Sequence, residues 1–195
     1  MWFVFLVTDN GPRPAEAAEL QRMQKAHIDN FDKLFKEGKL IAAGPVGDPA
    51  KKKRGIVVLT VPTHADVLAA FQTDPYIQNR IMKVDAHRWL ANRRDISTDF
   101  PTPITMEENR LVLMTARRKP APYLLKQHDA YWKENGKPSA QGVFLQAEGF
   151  SELLLFHGKD EKSIREKLKR DPLVHLGLAT LEIMPLHIAK GVLKP

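Results

Sequence analysis

The sequence contains no cysteine. That removes disulfides, thiol nucleophiles, iron–sulfur clusters and thiolate zinc sites together, and it makes a cytoplasmic location the simplest expectation. Long hydrophobic runs are missing as well. The opening stretch Met1-Trp2-Phe3-Val4-Phe5-Leu6-Val7 is apolar for only seven residues and has no basic leader or small-residue cleavage site. It therefore reads as a buried strand rather than a signal peptide. A bilayer span needs roughly 18 apolar residues or more, and no stretch comes close. A strong charge imbalance is also missing. The 195 residues carry 30 Lys+Arg and 23 Asp+Glu, a net charge of +7. The excess is even along the chain, +4 over residues 1–97 and +3 over 98–195. A nucleic-acid-binding tail concentrates its charge instead. Glycine-rich nucleotide fingerprints, phosphate loops, paired metalloprotease histidines and nucleophile elbows are all absent, so no cofactor and no metal site is implied.

What is present is a soluble composition, 43% apolar and 27% charged, close to that of ordinary folded domains. The one dense basic run is Lys51-Lys52-Lys53-Arg54, beside Gly47, Pro49 and Gly55. It reads first as a solvated hairpin loop and second as an anion contact.

The pattern of elements occurs twice, at a spacing of about 97 to 98 residues. In the first half Trp2–Thr8 predicts a strand, rich in aromatic and β-branched residues. Pro14–Glu37 predicts a helix, because Leu20, Met23, His27, Phe31, Leu34 and Phe35 recur at three and four and form one apolar face. Gly38 is placed to cap its end. Strands follow over Leu40–Val46 and Ile56–Val61, then a short helix over Thr63–Gln72 with Thr63 as N-cap. Asp74-Pro75 stops that helix, and Met82–Leu90 predicts a fourth strand. The second half runs in the same order. It has a strand over Arg110–Ala116, a helix over Pro122–Glu134, and a hairpin of Gly142–Ala147 and Ser151–Phe156 around Glu148-Gly149. A helix over Asp160–Lys169, stopped by Asp171-Pro172, and a strand over Ala179–Ile188 complete it. Ala91–Glu108, with Arg93-Arg94-Asp95 and Pro101-Thr102-Pro103, reads as a polar linker.

Each half is thus a β-α-β-β-α-β unit, the ferredoxin-like order. Segments such as Val57-Val58-Leu59 and Leu111-Val112-Leu113-Met114 do not alternate, which predicts burial on both faces. Two helices cover one face only. The expected fold is therefore α+β, with the two units pairing sheet to sheet as a single-chain α+β barrel. The expected organisation is a first repeat over 1–90, a linker over 91–108 and a degenerate second repeat over 109–195.

Three motifs stand out in the first half: Ala26-His27-Ile28-Asp29-Asn30-Phe31, Ala42-Ala43-Gly44-Pro45 and Thr73-Asp74-Pro75-Tyr76. His27 lies eleven residues before the helix-ending Gly38. In this order and in these elements they resemble the YciI-like (YCII-related) family, well over residues 1–90 and weakly over 110–188. The resemblance implies a ferredoxin-like unit in a dimeric α+β barrel, and a His–Asp pair, His27 with Asp74, at a cleft beside the sheet. Muconolactone isomerase is similar in fold, and enzymatic readings of the family rest on that analogy, which concerns fold and not chemistry.

The chemistry of the pair stands on its own. An imidazole titrates near neutrality, and a carboxylate within hydrogen-bond reach fixes its tautomer and stabilises its charged form. His27 lies on the apolar stripe of its helix, where a polar partner is needed, and Asp74 can supply it. Two readings of the pair stand, a catalytic or binding site and a structural tie. Gly44, Pro45 and Tyr76 are candidates to line the ligand site. Asp85 and His87, two apart on one strand, share a face and are candidate ligand contacts. The second half departs from the motif. His128 is eight residues before Gly136, so an ungapped comparison puts Leu124 at the place of His27, and only a gapped one aligns the histidines. Gly44-Pro45 has Gly142-Val143 in its place, and Asp171-Pro172 persists. The second repeat therefore reads as mainly structural, with His128 and Asp171 as an open second pair. Trp2, Trp89 and Trp132 read as core.

Two functions follow from different classes. One is an acid–base enzyme of isomerase, lyase or hydrolase type, acting on a small organic molecule through His27 and Asp74. The other is a non-catalytic barrel that binds a small ligand or serves as an interaction module. Nucleic-acid binding ranks third and membrane binding is not expected. The tandem arrangement favours a monomeric barrel over a homodimer.

Overall fold

The structure, a computed structural model, describes residues 1–145 and 149–194. The chain divides into two compact units, Met1–His87 and Arg88–Pro195. The fold is α+β, and both units have the expected order of elements. No helix among the described residues is long and apolar enough to cross a membrane.

The first unit contains strand β1 (Trp2–Thr8), helix α1 (Ala17–Lys36), strands β2 (Leu40–Pro45) and β3 (Lys53–Leu59), helices α2 (His64–Ala70) and α3 (Pro75–Gln78), and strand β4 (Met82–Ala91), whose last residues belong to the second unit. The sheet order is β2-β3-β1-β4. β1 and β2 both run antiparallel to β3, with Trp2 opposite Leu59 and Gly44 opposite Ile56. Helix α1 buries Met23, His27, Asn30 and Leu34. The stripe that predicted the helix is thus the buried one, with polar Asn30 added to it. Gly38 ends the helix at φ 68°, a conformation without steric cost for glycine. Thr63 and Asp66 form a reciprocal capping box at the start of α2.

Two features differ from expectation. Asp74-Pro75 stops α2, and it also starts α3: Asp74 is the N-cap and Pro75 occupies the first turn, where a missing N–H costs nothing. The basic run is only partly a loop. Lys53 and Arg54 already belong to β3. Asp48 folds the preceding turn by accepting the N–H groups of Ala50, Lys52 and Lys53, and these bonds hold its carboxyl below the ordinary range against the opposing effect of burial.

The second unit contains β5 (Met106–Ala116), α4 (Pro122–Glu134), β6 (Ala140–Leu145), β7 (Phe150–Phe156), α5 (Glu161–Arg170), α6 (Pro172–His175) and β8 (Thr180–Ala189). Its strands run in the same order, β6-β7-β5-β8, and the end of β4 pairs with β6, Trp89 opposite Phe144. Gln146, Ala147 and Glu148, where the sequence predicts the end of a strand and part of the hairpin turn, lie outside the described residues. Strand β5 starts at Met106, inside the stretch read as a linker. Earlier in that stretch Asn92 caps a single 3-10 turn, and Ile96 is buried and bridges Leu193. Ile96 is an apolar side chain among polar neighbours, and burying it draws the segment onto the unit.

Among the described residues, an apolar cluster lies between sheet and helices in each unit. In the first it gathers Val4, Leu6, Leu34, Val57, Val67 and Phe71. In the second it gathers Val112, Met114, Trp132, Leu154, Ile164 and Leu168. The alternate residues are buried too: Phe3, Phe5, Ile56 and Val58 in one unit, Leu111, Leu153, Met184 and Leu186 in the other. This is the double-sided burial that the unbroken apolar strands predict. Trp89 and Trp132 are core, as expected, while Trp2 is half-buried.

Gly142 holds the end of β4 close. A Cβ built there would stand 2.6 Å from the Leu90 carbonyl oxygen, 2.5 Å from the Ala91 Cβ and 2.7 Å from Trp89 Nε1, and the Trp89 indole donates to the Gly142 carbonyl at 3.0 Å. Substituting Gly142→Ala is expected to push these strands apart and cost about 1–3 kcal/mol, the usual range for overpacking. Urea unfolding of the variant beside wild type measures it, with unchanged stability as the contrary result.

Candidate functional site

The centre of the site is a buried carboxylate with two tasks. Asp74 is wholly buried. Its Oδ1 accepts the Tyr76 backbone N–H at 3.0 Å and so caps α3. Its Oδ2 lies 2.6 Å from His27 Nδ1. A carboxylate can only accept, so Nδ1 carries the proton and Nε2 is left to act as base, or as a second donor when the ring is charged. The ring is held from both sides. Phe31, one turn along α1, lies 4.3 Å away by centroid, and Tyr76 stands edge-on at 5.2 Å. The Tyr76 hydroxyl donates to Gln24 Oε1 at 3.0 Å. Asn30 ties α1 to the end of α2 by donating to the Ala70 carbonyl at 3.0 Å. The His27 side chain is 10% exposed, and its Nε2 has no hydrogen-bond partner among the described residues.

The second unit repeats this arrangement. Asp171 Oδ1 accepts the Leu173 N–H at 2.9 Å, and its Oδ2 lies 2.6 Å from His128 Nδ1. The gapped comparison is therefore the correct one, and Leu124 belongs to the apolar cluster. Tyr131, three residues after His128, donates to the Lys167 carbonyl at 2.7 Å, as Asn30, three after His27, does to Ala70. Helix α4 is simply shorter than α1.

The far side of the ring differs. His128 Nε2 lies 2.7 Å from Glu152 Oε2, and Gln141 donates to Glu152 Oε1 at 2.8 Å. The histidine is 1% exposed and Glu152 3%. Strand register identifies the matching position in the first unit. Leu59 pairs with Trp2 and Phe156 with Arg110, at the start of equivalent ladders. Counting back along β3 and β7, Gly55 pairs with Leu6 as Glu152 pairs with Met114. Across the other edge, Pro45 pairs with Gly55 as Val143 pairs with Glu152. Ala43 likewise matches Gln141. The first unit thus has a glycine and an alanine where the second has a carboxylate and an amide. Sequence reading missed Glu152. Its signal was a lone acid set against a run of four apolar residues, Glu152-Leu153-Leu154-Leu155-Phe156, where burial on both faces demands a partner.

The expected site residues do not all converge. Gly44 and Pro45 sit on β2 beside Gly55, and Tyr76 touches the imidazole. Asp85 and His87 are elsewhere. Met82, Val84 and Ala86 pack into the cluster beneath the helices, so the alternating Asp85 and His87 point to the opposite face of the sheet. There His87 Nε2 lies 3.1 Å from Asp85 Oδ1 and its ring meets Phe5. The hydrogen bond to His87, with added attraction from His87, Lys53 and Lys83, holds the Asp85 carboxyl below its ordinary range despite partial burial.

Residues 1–89 match the YCII-related domain. The half that matches is the one with the open His–Asp pair. No curated protein matches the chain. Among solved structures, a "putative monooxygenase" from Fusobacterium nucleatum aligns with a TM-score of 0.58 at 10% identity, covering 97% of this chain and 92% of its own. A "putative monooxygenase" from Lactobacillus acidophilus aligns with a TM-score of 0.53 at 10% identity, covering 96% and 92%. At such identity the likeness is one of fold, and it extends well beyond the YCII-related half.

The sealed triad sets a pH dependence. Burial disfavours charge on His128, but hydrogen bonds to Asp171 and Glu152 and their two negative charges outweigh it, and its pKa is raised to about 10. An unfolded histidine titrates near 6.5. The stabilisation is therefore complete below about pH 6.5 and disappears as pH rises through about 10. Unfolding free energy is expected to fall over that window by a few kcal/mol. In His128→Gln that slope is absent. Urea titrations from pH 6 to 10 on both proteins check it, and parallel profiles count against it.

Proposed function

We propose that the first unit is an acid–base site, with His27 Nε2 as the group that takes and returns a proton on a small organic molecule. The observation that supports this most directly is the difference between the units: the same His–Asp pair is closed by Glu152 in one, and the matching strand position in the other is Gly55. Asp74 keeps the proton on Nδ1, so the neutral ring presents a lone pair at Nε2. When that nitrogen takes a proton, the Asp74 carboxylate stabilises the imidazolium. The same nitrogen then returns the proton, either to another atom of the substrate or to a leaving group. The first outcome is an isomerisation, the second a lyase or hydrolase step. Phe31 and Tyr76 hold the ring so that this nitrogen keeps its direction. The monooxygenase names of the structural neighbours add no oxygen chemistry to the reading, because at 10% identity they share a fold.

A second reading has its own support. The pair in the second unit ties α4 to α6 with both ring nitrogens occupied, so a His–Asp pair in this fold can serve structure alone. The first unit is then a non-catalytic module that binds a small ligand.

The two readings separate in a turnover screen over small lactones, phenols and organic acids with wild type, His27→Ala and Asp74→Asn. For any compound that wild type converts, loss of general acid–base catalysis predicts a fall of about 10²- to 10⁴-fold in kcat for His27→Ala. Asp74→Asn is expected to fall as well, since an amide can donate to Nδ1 and favour the wrong tautomer. Equal turnover in all three proteins, alongside a lowered melting temperature in the variants, removes the pair from any catalysis and leaves it a structural role, and no turnover of any compound in wild type favours the binding module.

A further inference from the structure

The Glu152 carboxylate does in the second unit what a ligand would do in the first. It occupies the far side of the imidazole, with one oxygen 2.7 Å from His128 Nε2 and the other 2.8 Å from the Gln141 amide nitrogen. The histidine lies between two carboxylates and must donate from both nitrogens, so it is an imidazolium. The first unit has the same histidine, the same aspartate and the same strand register, but Gly55 and Ala43 replace the two side chains. Two long polar side chains are gone from the face of the sheet that α1 covers.

We infer that the place left over Gly55 receives the carboxylate of a small organic acid, which accepts a hydrogen bond from His27 Nε2 as Glu152 does from His128. The inference rests on the acid–base reading for the location of the site alone: a carboxylate on Nε2 occupies the nitrogen that acts as base there, so the acid is a ligand that competes with the substrate. The chemistry is specific. A free carboxylate at Nε2 completes an imidazolium between two anions, and charge-assisted hydrogen bonds are short and strong. A neutral amide or alcohol at the same place gains less. The remainder of the acid meets apolar and aromatic surface, Pro45 on the strand and Phe31 and Tyr76 around the ring. That surface suits a compact apolar or aromatic body with one carboxylate.

The test is a titration of the intact protein, labelled with ¹⁵N-histidine, with benzoate and with benzamide. The ring nitrogens of His27 report binding at the site, and those of His128 serve as an internal control because that ring is sealed. Benzoate is expected to shift the His27 signals saturably, and benzamide to bind about tenfold more weakly or worse, the difference between charged and neutral acceptors. His128 signals should stay in place. Gly55→Glu supplies the carboxylate internally and should abolish the benzoate response. Its Cβ stands 3.0 Å from the Gly44 carbonyl oxygen, so its folding is checked by circular dichroism. Where that variant does not fold, the benzoate–benzamide comparison in wild type decides alone. Absence of a saturable benzoate shift overturns the inference, as does equal binding of benzamide or a benzoate response that survives in folded Gly55→Glu. These outcomes are separable from the acid–base reading. Equal binding of the two probes with His27-dependent turnover removes only the carboxylate. Benzoate binding in a protein whose turnover ignores His27 removes only the catalysis.

Discussion

A buried aspartate at the start of a one-turn helix ties each unit together. Asp74 and Asp171 are both wholly buried. Each divides its carboxylate in the same way, one oxygen to the backbone N–H two residues on and the other to a histidine on the long helix. A buried carboxylate without partners costs several kcal/mol, so both bonds are needed. The backbone bond fixes the turn, and the histidine bond fixes the long helix against that turn. The proline after each aspartate suits the arrangement, because the first helical position has no use for its missing N–H. The His–Asp distance of 2.6 Å is the same in both units, although the helices that bear the histidines differ in length by seven residues, 20 against 13. The contact is conserved in space while the sequence spacing changes.

With that joint common to both, one strand position sets the character of the histidine. Glu152 turns His128 into a charged, sealed centre. Breaking such a group by removing one partner is expensive, about 3–5 kcal/mol, whereas replacing the whole group with apolar residues often costs little. Gly55 supplies no carboxylate, and among the described residues His27 has a hydrogen-bond partner at Nδ1 alone. A single position on the third strand of each unit thus separates a histidine bonded through both ring nitrogens from one bonded through Nδ1. The likeness to solved structures bears on neither state, since it is a likeness of backbones.

Much of this was legible in the sequence. The apolar stripe through Met23, His27 and Leu34, the double-sided strands and the doubled Asp-Pro gave the order of elements, and the resemblance to the YciI-like family implied the first His–Asp pair. The rest was hidden for physical reasons. The hydrophobic pattern does not say where a helix may lose a turn, so Leu124 took the place that belongs to His128. Strand register is a relation between segments, and the equivalence of Gly55 and Glu152 exists only once β3 and β7 are paired. Asp85 and His87 share a face with each other, as their spacing says, but the face opposite His27 is assigned by Val84 and Ala86 packing under the helices. Period alone identifies a common face without saying which one.

The comparison of units also weighs the two functional readings against each other. If the pair served only to lock a helix to a turn, the second unit shows the finished form: both ring nitrogens bonded, both carboxylates satisfied, the ring sealed. The first unit stops short of it. His27 Nε2 has no hydrogen-bond partner among the described residues, and an acid at the strand position would supply one, as Glu152 does for His128. Phe31 and Tyr76 nonetheless hold the His27 ring as firmly as a structural role would require. A fixed ring with one nitrogen that no described residue engages is the feature on which the acid–base proposal rests. The unit that forgoes the stabilising acid is the one that matches the YCII-related domain.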